Sequence, residues 1–169
     1  MAESDARWRG DPQVTQEPAN TWIDFYDGVD GPTLLIKALD ARGAFALLDA
    51  IDAVRNGHDG FEVESLPGVR PVGAESLTLY VRDQDSCSIG KLKHRAAFWW
   101  ACSNGGWEHV SLLVLPFAEG RSGHQYLNDG NSDVTIIFSC NEPEEGIWIT
   151  DPSLEHGPDS PERFDDREA

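Results

Sequence analysis

Two different hydrophobic periods run through the middle of this chain. Thr21–Tyr26 (TWIDFY) alternates around Trp22, Asp24 and Tyr26 and stops at Asp27-Gly28, a turn signal, which predicts a strand. Thr33–Leu39 (TLLIKAL) is a short apolar run that suits a buried strand or a helix start. The period then lengthens. Ala44, Leu47, Leu48, Ile51 and Val54 recur at three- and four-residue spacing, so Asp40–Asn56 reads as a helix with Asp40 as its cap and Gly57 as its stop. One long helix from Pro32 to Asn56 is the alternative. Gly43 would cost it about 1 kcal/mol relative to alanine, which favours a strand followed by a helix.

Alternation returns in Phe61–Leu66 (FEVESL) and in Ser76–Arg82 (SLTLYVR), where Leu77, Leu79 and Val81 share one face. Asp83–Lys93 reads as a polar loop around Cys87, and His94–Ala101 (HRAAFWWA) as an aromatic strand. Ser103 opens a second helix with a stripe of Trp107, Val110, Val114 and Phe117, widened by Leu113. Gly120 ends it, and Pro116 bends or shortens its last turn. Arg121–Ser132 reads as a loop, Val134–Cys140 as a strand, and Gly146–Thr150 as a further short one. Two helices are too few to cover both faces of a sheet this large. The expected class is therefore α+β, a two-layer sandwich with a mostly antiparallel or mixed sheet and both helices on one face.

Charge divides the chain. Thirty acids oppose thirteen bases, a net of −17, but residues 32–141 carry only −4. Residues 1–31 carry −5 and residues 142–169 carry −8. The expected organisation is a flexible acidic arm over 1–20, one α+β domain over 21–150, and a disordered acidic tail over 151–169. Such charge repels nucleic-acid phosphates and anionic membrane, and no apolar run of spanning length occurs. The N-terminus lacks the apolar core of a secretory signal, so a cytoplasmic setting is expected.

Chemistry-bearing motifs are few. Three widely spaced cysteines without a signal segment argue against a disulfide framework. Cys102 and Cys140 follow apolar runs and read as small buried residues. Cys87, in DSCSIG, reads as an exposed thiol whose thiolate Lys91, Lys93, His94 and Arg95 would favour, a candidate nucleophile. No zinc spacing, nucleophile elbow or phosphate loop occurs, and neither cofactor nor metal is expected. Ser103-Asn104-Gly105-Gly106 reads as a helix cap rather than an anion nest, since no basic residue adjoins it.

Trp99 and Trp100 are adjacent on a strand and must point to opposite faces, so one enters the core and the other meets the open face. With Trp107, His124 and Tyr126 they form the candidate partner-binding set. His124 lies in Gly123-His124-Gln125-Tyr126-Leu127, and Glu142 closes the next strand. If the protein is an enzyme, His124, Tyr126 and Glu142 are the acid–base candidates.

Trp107-Glu108-His109-Val110 with its helix, then Gly123–Leu127, then a strand reaching Glu142, resembles small uncharacterised bacterial proteins of the toxin-immunity type. The resemblance spans residues 98–142. It implies a non-enzymatic protein that binds and blocks a protein partner, such as a basic toxin domain, and it carries over no catalytic residue. The expected function is accordingly an immunity- or inhibitor-type binding protein. A small enzyme and a homo-oligomeric structural domain, a homodimer, are the alternatives.

Overall fold

The computed structural model describes residues 19–28, 31–83, 86–128 and 132–142. Residues 1–18 of the arm expected over 1–20, the tail expected over 151–169 and the short strand expected at 146–150 lie outside these residues. Among the described residues there are nine strands and two α-helices. The α+β class holds. The strands, however, divide between two sheets rather than forming one.

The first sheet is built on an antiparallel pair, β1 (Thr21–Gly28) and β2 (Gly31–Ala38), in register from Thr21↔Ala38 to Gly28↔Gly31. The run TLLIKAL is thus a strand. Its burial on both faces explains why it lacks alternation. The short β4 (Val69–Pro71) adds in parallel to β1, and β9 (Thr135–Cys140) adds in parallel to β2. β8 (Gly123–Tyr126) closes the far edge, antiparallel to β9, giving the order β4-β1-β2-β9-β8.

The second sheet has the order β3-β5-β7-β6, with β3 (Phe61–Glu62), β5 (Ser76–Val81), β6 (Ser88–Lys91) and β7 (Ala97–Cys102). Three expectations change here. Phe61–Leu66 is a strand for two residues only. The chain then makes a 3-10 turn, Val63–Ser65, that drops Val63 into the core while the Glu64 carboxylate accepts from the Leu77 N–H. The supposed loop Asp83–Lys93 contains β6, which pairs with the flank of β7. The supposed loop Arg121–Ser132 contains β8. Asn128 ends that strand by donating to the Val134 carbonyl and accepting from the Ile136 N–H, replacing a rung of the ladder.

Both helices begin at the expected caps. Asp40 accepts from the Arg42 N–H at the head of α1 (Ala41–Arg55), and Ser103 accepts from the Gly106 N–H at the head of α2 (Asn104–Ala118). Gly43 proves to be a packing residue. A Cβ there would collide with Ala38 Cβ and Thr21 Oγ1, so the first turn of α1 rests directly on β1 and β2. Pro116 does not end α2, which continues to Ala118.

The helices pack side by side, with α1 against β2, β9, β3 and β5 and α2 against β7. A single core serves both sheets. Ile23, Ile36 and Phe138 contribute from the first, Leu77 and Trp100 from the second, and Leu47, Ile51, Trp107 and Val114 from the helices. Trp100 and Trp107 meet edge to face at 4.7 Å, and the Trp107 indole N–H donates to the Tyr80 carbonyl. Phe25 of β1 and Phe98 of β7 meet at 4.8 Å and join the two sheets. Fully buried side chains such as Ile23, Leu77 and Phe138 each contribute about 1.5–3 kcal/mol, whereas Phe25 is only partly buried.

Candidate functional site

The inner face of the first sheet is committed to the core through Ile23, Leu34, Ile36, Ile136 and Phe138. Strand alternation therefore turns Trp22, Lys37 and Ser139 to the other face. Registers then align residues that no sequence spacing connects. Arg70 pairs with Trp22, Trp22 with Lys37, Lys37 with Ser139, and Ser139 with His124. One row thus crosses all five strands, carrying two cations, an indole, a hydroxyl and an imidazole. The next row outward is Asp24, Leu35, Ile137 and Tyr126. Leu35 is only 2% exposed yet is no part of the common core.

Glu142 hooks onto the end of the first row. One carboxylate oxygen lies 2.9 Å from His124 Nδ1, and the other accepts from Ser139 Oγ at 2.7 Å. Burial alone would raise the Glu142 carboxyl. The hydrogen bonds of His124 and Ser139, and the charges of His124 and Lys37, outweigh it and hold the group below its ordinary value of 4.5. His124 is half exposed at 52%, whereas Glu142 is 21% exposed. Asn141 supplies the local geometry through a left-handed backbone, φ 52°, that turns the chain at the end of β9. The Tyr126 ring stands edge-on to His124 at 6.0 Å.

Among the described residues, β8 is an edge strand. The Leu127 N–H donates to the Ile136 carbonyl, which makes 127/136 a hydrogen-bonded pair. Antiparallel ladders alternate, so 125/138 and 123/140 are bonded pairs, and the main-chain groups of His124 and Tyr126 face away from β9. Tyr126 is also 54% exposed. The same two residues therefore offer side chains on the sheet face and main-chain groups at its edge. The Gln125 side chain reaches over to donate to the Tyr126 carbonyl.

The arrangement limits the chemistry. In a nucleophilic triad the imidazole stands between hydroxyl and carboxylate. Here the carboxylate stands in the middle, and Ser139 is buried and donates to it, so Ser139 is not set up as a nucleophile. What remains is an oriented imidazole whose Nδ1 is held by a carboxylate, able to exchange a proton at Nε2 or to donate to a partner.

The other expected site residues are elsewhere. Trp100 and Trp107 are fully buried and present no side-chain surface to a partner, because both point into the core between sheet and helices. Trp99 is half-buried on the opposite face of β7. It lies over Gly90 with the Arg82 guanidinium 4.7 Å above its ring, so the chain itself covers it. Cys87 is not a free thiol but is disulfide-bonded to Cys102, contrary to the expectation of an exposed nucleophile. Extending the β6/β7 register by one residue sets the two directly opposite each other. Cys140 is the free, buried cysteine among the described residues; burial first, then Asp40, pushes its thiol up. No group of three His, Cys, Asp or Glu residues among the described residues could hold a metal.

Sequence reasoning thus reached His124, Tyr126 and Glu142 but missed Lys37, Ser139, Trp22 and Arg70. The lone charge inside TLLIKAL was the available signal for Lys37. The others depend on register. No protein-family model, curated protein or solved structure matches this chain.

Proposed function

We propose that this protein is a stoichiometric protein-binding module of the immunity or inhibitor type, and that it engages its partner through the β8 edge and the exposed side chains of His124 and Tyr126. One observation carries the reading: His124 and Tyr126 present exposed side chains and outward main-chain groups on the same edge strand. An extended segment of a partner can add to such an edge, with Tyr126 as its aromatic anchor. The net charge of −17 favours a basic partner by steering its approach. A cytoplasmic setting is part of the proposal. Among the described residues, no helix is long and apolar enough to cross a membrane.

The test is a titration by calorimetry of a partner captured from lysate and identified. A 1:1 complex is expected, with Tyr126→Ala weakening it about tenfold or more. Tyr126→Pro, which also removes an outward N–H, should weaken it further. Equal affinity for all three proteins would refute edge recognition.

A second reading is an acid–base enzyme centred on His124, favoured by the 2.9 Å contact with Glu142. It requires turnover that falls with Glu142→Gln while folding is retained. A third, a homodimer paired edge to edge through β8, requires a concentration-dependent mass in light scattering that Tyr126→Pro abolishes.

A further inference from the structure

Cys87 and Cys102 lie at a junction that gives their disulfide chemical asymmetry. Cys102 is the last residue of β7 and is fully buried, and the next residue, Ser103, caps α2. Cys87 stands just before β6 and is half-buried. The first turn of α2 rests on the pair. A Cβ on Gly106 would stand 3.0 Å from Cys87 Sγ and 3.1 Å from Cys102 Cβ, so glycine is what lets the helix start so close to the sulfurs.

A helix N-terminus carries partial positive charge and stabilises a neighbouring thiolate. In thiol–disulfide exchange the attacking thiolate needs access to one sulfur, and the reaction is faster when the other leaves as a stabilised thiolate. Here Cys87, half-buried, is the more accessible sulfur, and Cys102, fully buried, is the one that attack at Cys87 displaces, with the first turn of α2 beside the pair.

We propose that Cys87–Cys102 is a site of reversible thiol–disulfide exchange, taking glutathione or a protein dithiol as its reactant, with Cys87 as the sulfur attacked and Cys102 as the leaving group. The incoming thiolate forms a new S–S bond to Cys87 Sγ. The Cys87–Cys102 bond breaks, and its electron pair leaves on Cys102 Sγ. A second thiol from the reductant then attacks the mixed disulfide, forms the reductant's own disulfide and releases the Cys87 thiolate. Two electrons pass from the reductant to the pair, and the two thiolates take up protons from water as the medium requires. Opening the bond releases the start of β6 from the first turn of α2.

The full chain, oxidised in air, is incubated under native conditions with reduced glutathione, quenched with an alkylating reagent and digested with trypsin. Lys91, Lys93 and Arg95 separate the two cysteines into different peptides. The expected result is glutathione on the Cys87 peptide and alkylation on the Cys102 peptide, with loss of amide protection at Gly106 and Trp107 after full reduction. Glutathione on Cys102 instead would overturn the assignment of roles. Reduction that proceeds only in denaturant would show a purely structural bond. Two free thiols after air oxidation would remove the site altogether.

Discussion

His124 Nδ1 lies 2.9 Å from Glu142 Oε1, although eighteen residues separate them in the chain. Each is fixed by Ser139, the first through strand register and the second through a hydrogen bond. The pair is therefore a product of the β8/β9 ladder and of the turn at Asn141.

The first prediction concerns pH. The folded-state Glu142 carboxyl is held below 4.5, its ordinary value. Its ionised form thus adds stability that is fully present above that value and is lost as pH falls through the folded one. Glu142→Gln should lower stability at pH 7 and flatten the acid limb of the curve below about pH 4.5. Urea unfolding at several pH values measures both. Parallel acid limbs for the two proteins would contradict the assignment.

Gly43 sets two effects against each other. Helix propensity alone predicts that Gly43→Ala stabilises by about 1 kcal/mol. Packing predicts the reverse, because the new Cβ meets Ala38 Cβ and Thr21 Oγ1, which strands hold in place. Overpacking of this kind costs about 1–3 kcal/mol. Packing wins, and denaturant midpoints should show net destabilisation.

The paired core tryptophans should respond unequally to shortening. Trp107 donates from its indole to the Tyr80 carbonyl, whereas the buried Trp100 indole N–H has no hydrogen-bond partner among the described residues. Trp107→Phe leaves a carbonyl without its donor. Trp100→Phe removes an unpartnered donor. Trp107→Phe should therefore be the more destabilising by about 1–3 kcal/mol, read from thermal or urea unfolding. Equal losses would mean that cavity formation alone governs both sites.

Gly90 is the floor on which Trp99 lies. Gly90→Ala places a methyl group against the indole and should lift it from beneath Arg82. The exposed cation–π contact contributes about 0.5–1 kcal/mol, so a loss of that order is expected. A red shift in tryptophan fluorescence, absent in a Trp99→Phe background, would identify the indole that moves.

Much of the fold is legible along the chain. Helix starts at Asp40 and Ser103, the stripe Trp107–Val110–Val114–Phe117, and the opposed directions of Trp99 and Trp100 all follow from local periodicity and capping. These features depend on residues within about one helical turn of one another, and that information is contained in sequence spacing. His124, Tyr126 and Glu142 were also recognisable as a group by residue type.

Tertiary structure decided the rest. Which strand pairs with which cannot be read from alternation, so the division into two sheets, the partnership of Cys87 with Cys102, and the row from Arg70 through Trp22, Lys37 and Ser139 to His124 emerge only when strands distant in sequence are set in register. A shift of β9 by one residue against β2 would send Ser139 into the core and Phe138 to the opposite face. The core forbids that shift. Burial of Phe138, Ile36 and Ile23 on one side is the physical reason that Ser139, Lys37 and Trp22 share the other.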